Sequence, residues 1–358
     1  MELNLFEDFY KGKRVFLTGH TGFKGAWMLE WLCGLGAFVK GYALAAEGNE
    51  NLFDIVALHN NFEHVVGDIR NKSLLEVEVI NFKPDIIFHL AAQPLVRKAY
   101  KIPAETFEVN VMGTVNILDA VTKLPNKCTV IVVTTDKVYE NKEQDYCYVE
   151  EDRLGGYDPY SASKAAAEIV IRSYRQSFFN VKNYYSHKKC VVSARAGNVI
   201  GGGDFSTDRI VPDIVRALQN NRPIEVRNPN SVRPWQHVLE PLHGYLKLAM
   251  LAYNNHEVVA DAYNFGPLAN DHLTVKVLVE KAIATWGSGN WLDTSNGLEV
   301  HEARLLMLNI KKATKDLNWK PLLNSNEAIG WTMEWYKNIE IRHEITIAQI
   351  VNYTKFIK

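Results

Sequence analysis

RVFLTGHTGFKGAWMLEWLCGLG, residues 14–36, decides the architecture of this chain. An apolar run that reads as a strand, RVFLT, passes directly into a loop with glycines at Gly19, Gly22 and Gly25, and the loop passes directly into an apolar helical pattern. The first glycine allows a tight turn, the second lets the backbone approach a pyrophosphate, and the third lets helix pack on strand. A helix N-terminus at that point favours negative charge, so Thr21, Phe23 and Lys24, threaded between the glycines, are candidate cofactor contacts too.

Outward from this unit, strand-like runs alternate with helix-like runs: FVKGYAL, DIIFHLAA, FEVNVMGTVNILDAVTKL and TVIVVTT, with a further strand expected over 189–200. Alternation of this kind predicts βαβ units and an α/β fold, a doubly wound parallel sheet of Rossmann type. Beyond residue 200 the rhythm changes to GGGDF, isolated arginines and amphipathic helices, which predicts a smaller mixed C-terminal part. We therefore expect residues 1–200 to bind a dinucleotide and residues 201–358 mainly to bind substrate, with some segments returning to the sheet.

Composition narrows the partners. Of 358 residues 47% are apolar, enough for a substantial core, and the net charge is −1, which gives no reason to expect nucleic acid or a membrane surface. Cys33, Cys128, Cys147 and Cys190 lack metal-site spacing and read as reduced residues, with no metal expected. No run of 18 apolar residues occurs and MELNLFEDFYKGKR lacks a signal-peptide core, so a cytoplasmic protein is expected.

Two more clusters belong with the glycine loop. HLAAQ ends the fourth apolar strand, and the small residues among Leu90, Ala91, Ala92 and Gln93 suit a cofactor lying flat across the strand edge. The acid that usually ends the second strand and holds a ribose is missing from FVKGYAL, and no arginine pair replaces it. Asp68, followed by Ile69, is placed after the third strand to face an adenine, which favours NAD over NADP. In DPYSASK, Asp158 and Pro159 read as helix cap and first turn, so Tyr160 and Lys164 fall four apart on one helix face. A lysine beside a phenol is expected to lower its pKa and fit it to act as a base.

TGHTGFKG, the alanine pair, TTDKVY and YSASK, in that order, resemble the extended short-chain dehydrogenase/reductase superfamily, in its NAD-dependent epimerase/dehydratase family. HLAAQPLVRKAY, TTDKVYEN, RAGNVIGGGDF and VRPWQHVLEPL are most similar to the dehydratases that act on CDP-glucose. The Asp136–Lys137 pair carries that distinction, because the related dehydratases of dTDP-glucose and GDP-mannose place an acid where Lys137 stands.

The resemblance implies roles. With NAD as hydride carrier, Tyr160 is the base for the sugar 4-hydroxyl, assisted by Lys164, while Thr135 holds O4. Lys137 takes the C5 proton and Asp136 protonates O6 so that water leaves, giving a 4-keto-6-deoxy sugar for surface polysaccharide synthesis. That chemistry needs both side chains shielded from water. Asn198, Arg209 and Arg233 match positions that hold the substrate's sugar and diphosphate. His20 stands where a smaller residue is usual, which is expected to weaken the hold on the cofactor. A homodimer or dimer of dimers is expected through the helices carrying NVMGTVNILDAV and YSASK. The residues also leave open another nucleotide sugar (dTDP-, GDP- or UDP-linked) and a non-catalytic dinucleotide sensor.

Overall fold

The computed structural model describes residues 6–48, 50–295 and 305–357. Seven parallel strands form one sheet: β1 (Arg14–Thr18), β2 (Phe38–Ala43), β3 (Glu63–Val66), β4 (Ile86–His89), β5 (Cys128–Val133), β6 (Lys189–Ala196) and β7 (Ala262–Phe265). Their order across the sheet is β7-β6-β5-β4-β1-β2-β3, so the direction of winding reverses between β1 and β4. Ligands of open parallel sheets sit outside the strand carboxyl ends at such a reversal. The glycine loop, HLAAQ and TTDKVY all leave strands at that edge.

Burial explains the strand sequences. Every residue of β5 and β6 is buried, as a central strand with helices on both faces requires, whereas edge strand β3 is largely exposed. One apolar cluster runs from Tyr10 through Trp27 and Trp31 to Trp335 and Tyr353, and a second lies on the other face around Phe16, Ile87 and Val130.

The expected strand over 189–200 is shorter than its apolar run. β6 stops at Ala196, and Val199–Ile200 instead pairs with Gln236–His237. Gly197 marks the break: a Cβ there would lie 3.2 Å from Pro234 and 3.3 Å from the Asp136 carboxylate, so a side chain would crowd the strand-five turn. The helical run over 107–124 is likewise divided. Residues Glu108–Met112 form a π-helical turn between the helices Pro103–Phe107 and Gly113–Thr122, a deviation that often marks functional positions. Cys128 and Cys190 are buried, Cys33 and Cys147 half-buried, and all four are free thiols.

Candidate active site

The loop after β1 is shaped by its glycines. Gly19 has φ +76°, and a Cβ on it would lie 2.7 Å from the Ala91 nitrogen; one on Gly25 would lie 2.0 Å from the Gly19 carbonyl oxygen. Gly22 caps the helix Phe23–Gly34 in an extended conformation, and its own Cβ would come no nearer than 3.4 Å to the loop. The result is a bare helix N-terminus, a cradle a pyrophosphate fits and a side chain would fill. Its floor is fixed by the Ala91 amide, which donates to Thr18 Oγ1 at 3.2 Å, and by the 2.8 Å contact between that hydroxyl and His89 Nδ1. Burial, with the nearby Lys164 charge, pushes His89 down to about 3, so the ring is neutral.

His20 turns out of the cradle. It is fully buried, its Nε2 lies 2.7 Å from His64 Nδ1, and its ring packs edge-on against Phe53. It also occupies the space beside Gly41, where a Cβ would meet the ring at 2.5 Å. Thus the residue that departs from the usual loop and the glycine in β2 are one packing feature. Asp68 lies beyond β3 with its carboxylate held by Arg70 at 2.6 Å, which keeps it below the usual carboxylate range. Neighbouring Ile69 is buried against Gly113. Lys40 pairs with Glu78 at 2.7 Å and Glu63 at 3.0 Å.

At the end of β5, Thr134 and Thr135 lead into a 3-10 turn, Asp136–Val138, capped by Thr135, which accepts from the Lys137 amide at 3.4 Å. Asp136 is only 2% exposed and accepts the Thr135 hydroxyl at 2.9 Å. The shielding expected for the pair holds for the acid alone: Lys137 is half-buried and lines a cleft of about 400 Å3 with Ser161, Asp158 and Gly156.

The helix Pro159–Ser177 begins at Asp158, whose carboxylate accepts from the Ser161 amide at 3.0 Å and from its hydroxyl at 2.5 Å. Its first turns bring Tyr160 to Thr135, with which it is hydrogen-bonded, and into the field of Asp136 and Arg209. Burial, reinforced by Asp136, pushes the phenol up to about 12, against the opposing Thr135 hydrogen bond and Arg209 charge. This corrects the expected lowering. The Lys164 ammonium donates to the Val133 carbonyl at 3.2 Å, and burial, against the charge of Glu168, lowers it to about 8.

Lys24, from the glycine loop, lies close enough for Arg209, Lys164 and Asp136 to act on it, and burial with the first two cations lowers it to about 7. One loop thus serves both the cradle and the cluster around Tyr160. Arg209 is fixed by Asp204 at 2.8 Å. Asn198 accepts the Gln236 amide through its carbonyl at 3.2 Å, beside the Gly197 break. Arg233 donates to its own Val232 carbonyl at 3.0 Å, and Pro234 after it packs over Gly197 toward Asp136. Arg209 therefore joins the centre directly, while Asn198 and Arg233 stand on its flank.

Asn110 was not singled out in the sequence, although it lies in NVMGT. Its side chain accepts the Gln93 amide at 2.9 Å and donates to the Ser163 hydroxyl at 2.8 Å. That hydroxyl donates to the Tyr160 carbonyl at 2.7 Å. The strand-four platform and the Tyr160 helix are thereby clasped by a residue of the π turn.

A doubly wound sheet with a glycine cradle on the first strand and a Tyr-x-x-x-Lys helix beside the fifth defines a short-chain dehydrogenase/reductase of the extended type. A family model described as GDP-mannose 4,6 dehydratase matches residues 16–331, and the chain belongs to this family. It is 47% identical to the CDP-glucose 4,6-dehydratase of Salmonella typhimurium over 92% of each chain. It is 26% identical to the dTDP-glucose 4,6-dehydratase of Streptomyces griseus over 90% of this chain and 93% of that one. The crystal structure of a dTDP-glucose 4,6-dehydratase from Bacillus anthracis in complex with NAD superposes with a TM-score of 0.76. That match covers 92% of this chain and 98% of the other at 24% identity, so it speaks for the fold.

Proposed function

We propose that this protein dehydrates CDP-glucose to CDP-4-keto-6-deoxyglucose with NAD as its hydride carrier. The observation that carries the reading is the Asp136–Lys137 turn, an acid buried beside Tyr160 and an amine facing a cleft. The 47% identity to a CDP-glucose 4,6-dehydratase supports the choice of nucleotide sugar.

NAD, when bound, would supply the hydride acceptor for C4 and the hydride donor for C6. The open cradle fits it: Gly19, Thr21, Gly22, Phe23, Lys24 and Gly25 would hold its phosphates, Asp68 and Ile69 its adenine end. Leu90, Ala91, Ala92, Gln93, Tyr160 and Lys164 would hold the rest. Tyr160 removes the proton of the sugar 4-hydroxyl as its phenolate, the form that Thr135 and the Arg209 charge favour against burial, while Thr135 orients O4. With C4 a ketone, the C5 proton becomes acidic; Lys137 takes it and gives a proton back to C5 when the hydride reaches C6. Asp136, shielded from water, gives a proton to O6 and water departs. Arg209, with Asn198 and Arg233, holds the diphosphate and sugar; a fixed guanidinium suits phosphate oxygens.

In this reading residues 1–200 hold the dinucleotide and residues 201–358 mainly the nucleotide sugar. No helix of the described residues is long and apolar enough to cross a membrane, and we place the enzyme in the cytoplasm, supplying deoxysugars for surface polysaccharide. It acts as a homodimer or dimer of dimers: Phe107, Met112, Ile169 and Phe178 stand exposed in the segments expected to pair.

The test is incubation of the purified protein with CDP-, dTDP-, GDP- and UDP-glucose, following the absorbance of the keto sugar in alkali. CDP-glucose alone should give rapid product, and deuterium placed at C4 should be found at C6. Preference for another nucleotide, or net reduction of NAD, overturns the reading.

A further inference from the structure

Behind Tyr160 and Lys164 lies an ion pair that the proposed chemistry does not use. Glu168 and Arg195 meet at 2.9 Å with side chains 2% and 5% exposed. Glu168 Oε1 accepts the Thr134 hydroxyl at 2.6 Å, and Oε2 accepts the Ser193 hydroxyl at 2.9 Å as well as Arg195. From the other side, Arg195 donates to Tyr139 Oη at 2.9 Å and to the Glu150 carbonyl at 2.9 Å. Tyr139 in turn donates to Asn264 Oδ1 at 2.7 Å. These contacts grip the catalytic turn at both ends, since Thr134 precedes Thr135 and Tyr139 follows the turn that holds Asp136 and Lys137.

We propose that the Glu168–Arg195 pair is a positioning element of the reaction: it locks the Thr134–Tyr139 segment, β6 and the Tyr160 helix into one register, and supplies the negative charge that faces Lys164. An apolar pair would fill the same space, and a buried ion pair is by itself weak support for stability. What this pair adds is direction, because its hydrogen bonds reach three separate elements.

The second part concerns charge. Lys164 is faced by Glu168 from its own helix, by His89 from β4, by Lys24 from the glycine loop and by the Val133 carbonyl from β5. His89 is neutral and Lys24, lowered to about 7, brings a positive charge or none, so among these groups Glu168 alone brings a negative charge. Without it, Lys164 surrenders its proton at lower pH.

The inference rests on the dehydratase reading, and wild-type turnover of CDP-glucose is its control: if wild type is inactive, that reading has failed. Given an active wild type, Glu168→Gln should cut kcat by about 10², the loss typical of a misplaced catalytic geometry, with KM within about threefold. The alkaline limb of its pH profile should move down by about one unit. Thr134→Val, which releases one grip and buries no unpaired charge, should lower kcat by about tenfold and leave that limb in place. Melting curves separate these effects from loss of folded protein. A folded Glu168→Gln enzyme with wild-type kcat and an unmoved limb overturns the proposal. Should Glu168→Gln fail to fold, unchanged kcat in Thr134→Val overturns it as well.

Discussion

Lys137 in the strand-five turn and Tyr160 on the helix Pro159–Ser177 divide the proposed chemistry, and they separate by substitution. Lys137→Met removes the C5 base but leaves Tyr160, Thr135 and Lys164 in place. General base assistance is typically worth about 10² to 10⁴, so turnover should fall by that order, and exchange of the C5 proton with solvent should slow with it. Tyr160→Phe should stop the reaction before C5 becomes acidic, leaving no exchange in deuterated water. Persistence of exchange in Lys137→Met at the wild-type rate removes the lysine from its role. At this scale the sequence was informative about identity and poor about environment. Spacing placed Tyr160 and Lys164 on one helix face, yet the phenol is pushed up by burial and Asp136, contributions from segments distant in sequence. Asn110 stayed hidden for the same reason: its partners, Gln93 and Ser163, lie 17 and 53 residues away.

Among the elements, the glycine loop makes the sharpest contrast between fold and binding. Gly25→Ala drives a Cβ to 2.0 Å from the Gly19 carbonyl, so the loop must shift. We expect a loss of about 1–3 kcal/mol in stability together with loss of cofactor binding. Gly22→Ala meets only an ordinary 3.4 Å contact at a backbone conformation open to any residue. Its melting temperature should stay near wild type while the Kd for NAD, read by fluorescence titration, rises. Equal damage to stability in both variants would show that the cradle is shaped by packing alone. The strand-loop-helix unit was legible because one stretch of chain contains all its determinants. The end of β6 at Ala196 was not, because the break depends on Pro234 and Asp136 crowding Gly197.

Across the whole molecule, the C-terminal segments are fastened through Glu240. This buried carboxylate accepts the Leu323 amide at 2.6 Å, the Leu322 amide at 2.9 Å and the Tyr353 hydroxyl at 2.7 Å. Burial nonetheless raises its pKa from 4.5 to about 7. The folded state therefore holds this proton more tightly than the unfolded chain: its contribution is whole below pH 4.5 and is lost as pH rises through about 7. The contribution is on the order of 3 kcal/mol. Chemical denaturation across that range should show the slope in wild type and a flatter profile in Glu240→Gln; identical slopes assign the pH dependence elsewhere. Sedimentation over a wide concentration range tests the proposed assembly, where a dimer or a dimer of dimers is expected and a monomer at every concentration refutes it. The fold class was readable at this scale from the alternation of strands and helices, but the entry of β7 beside β6 was not, since AYNF is too short to announce a strand.

The helix Arg342–Thr354 lays Tyr353 against Trp31 of the first helix at 5.9 Å between rings. A ribosome delivers those two aromatics more than 300 residues apart, so the flank of the glycine-cradle helix that Tyr353 covers waits through synthesis of all the chain between them. Elongation at about 5–20 residues per second makes that a wait of tens of seconds. The nascent chain is thus long exposed to aggregation and to chaperones, and its cofactor cradle gains its final backing only when synthesis has passed Tyr353.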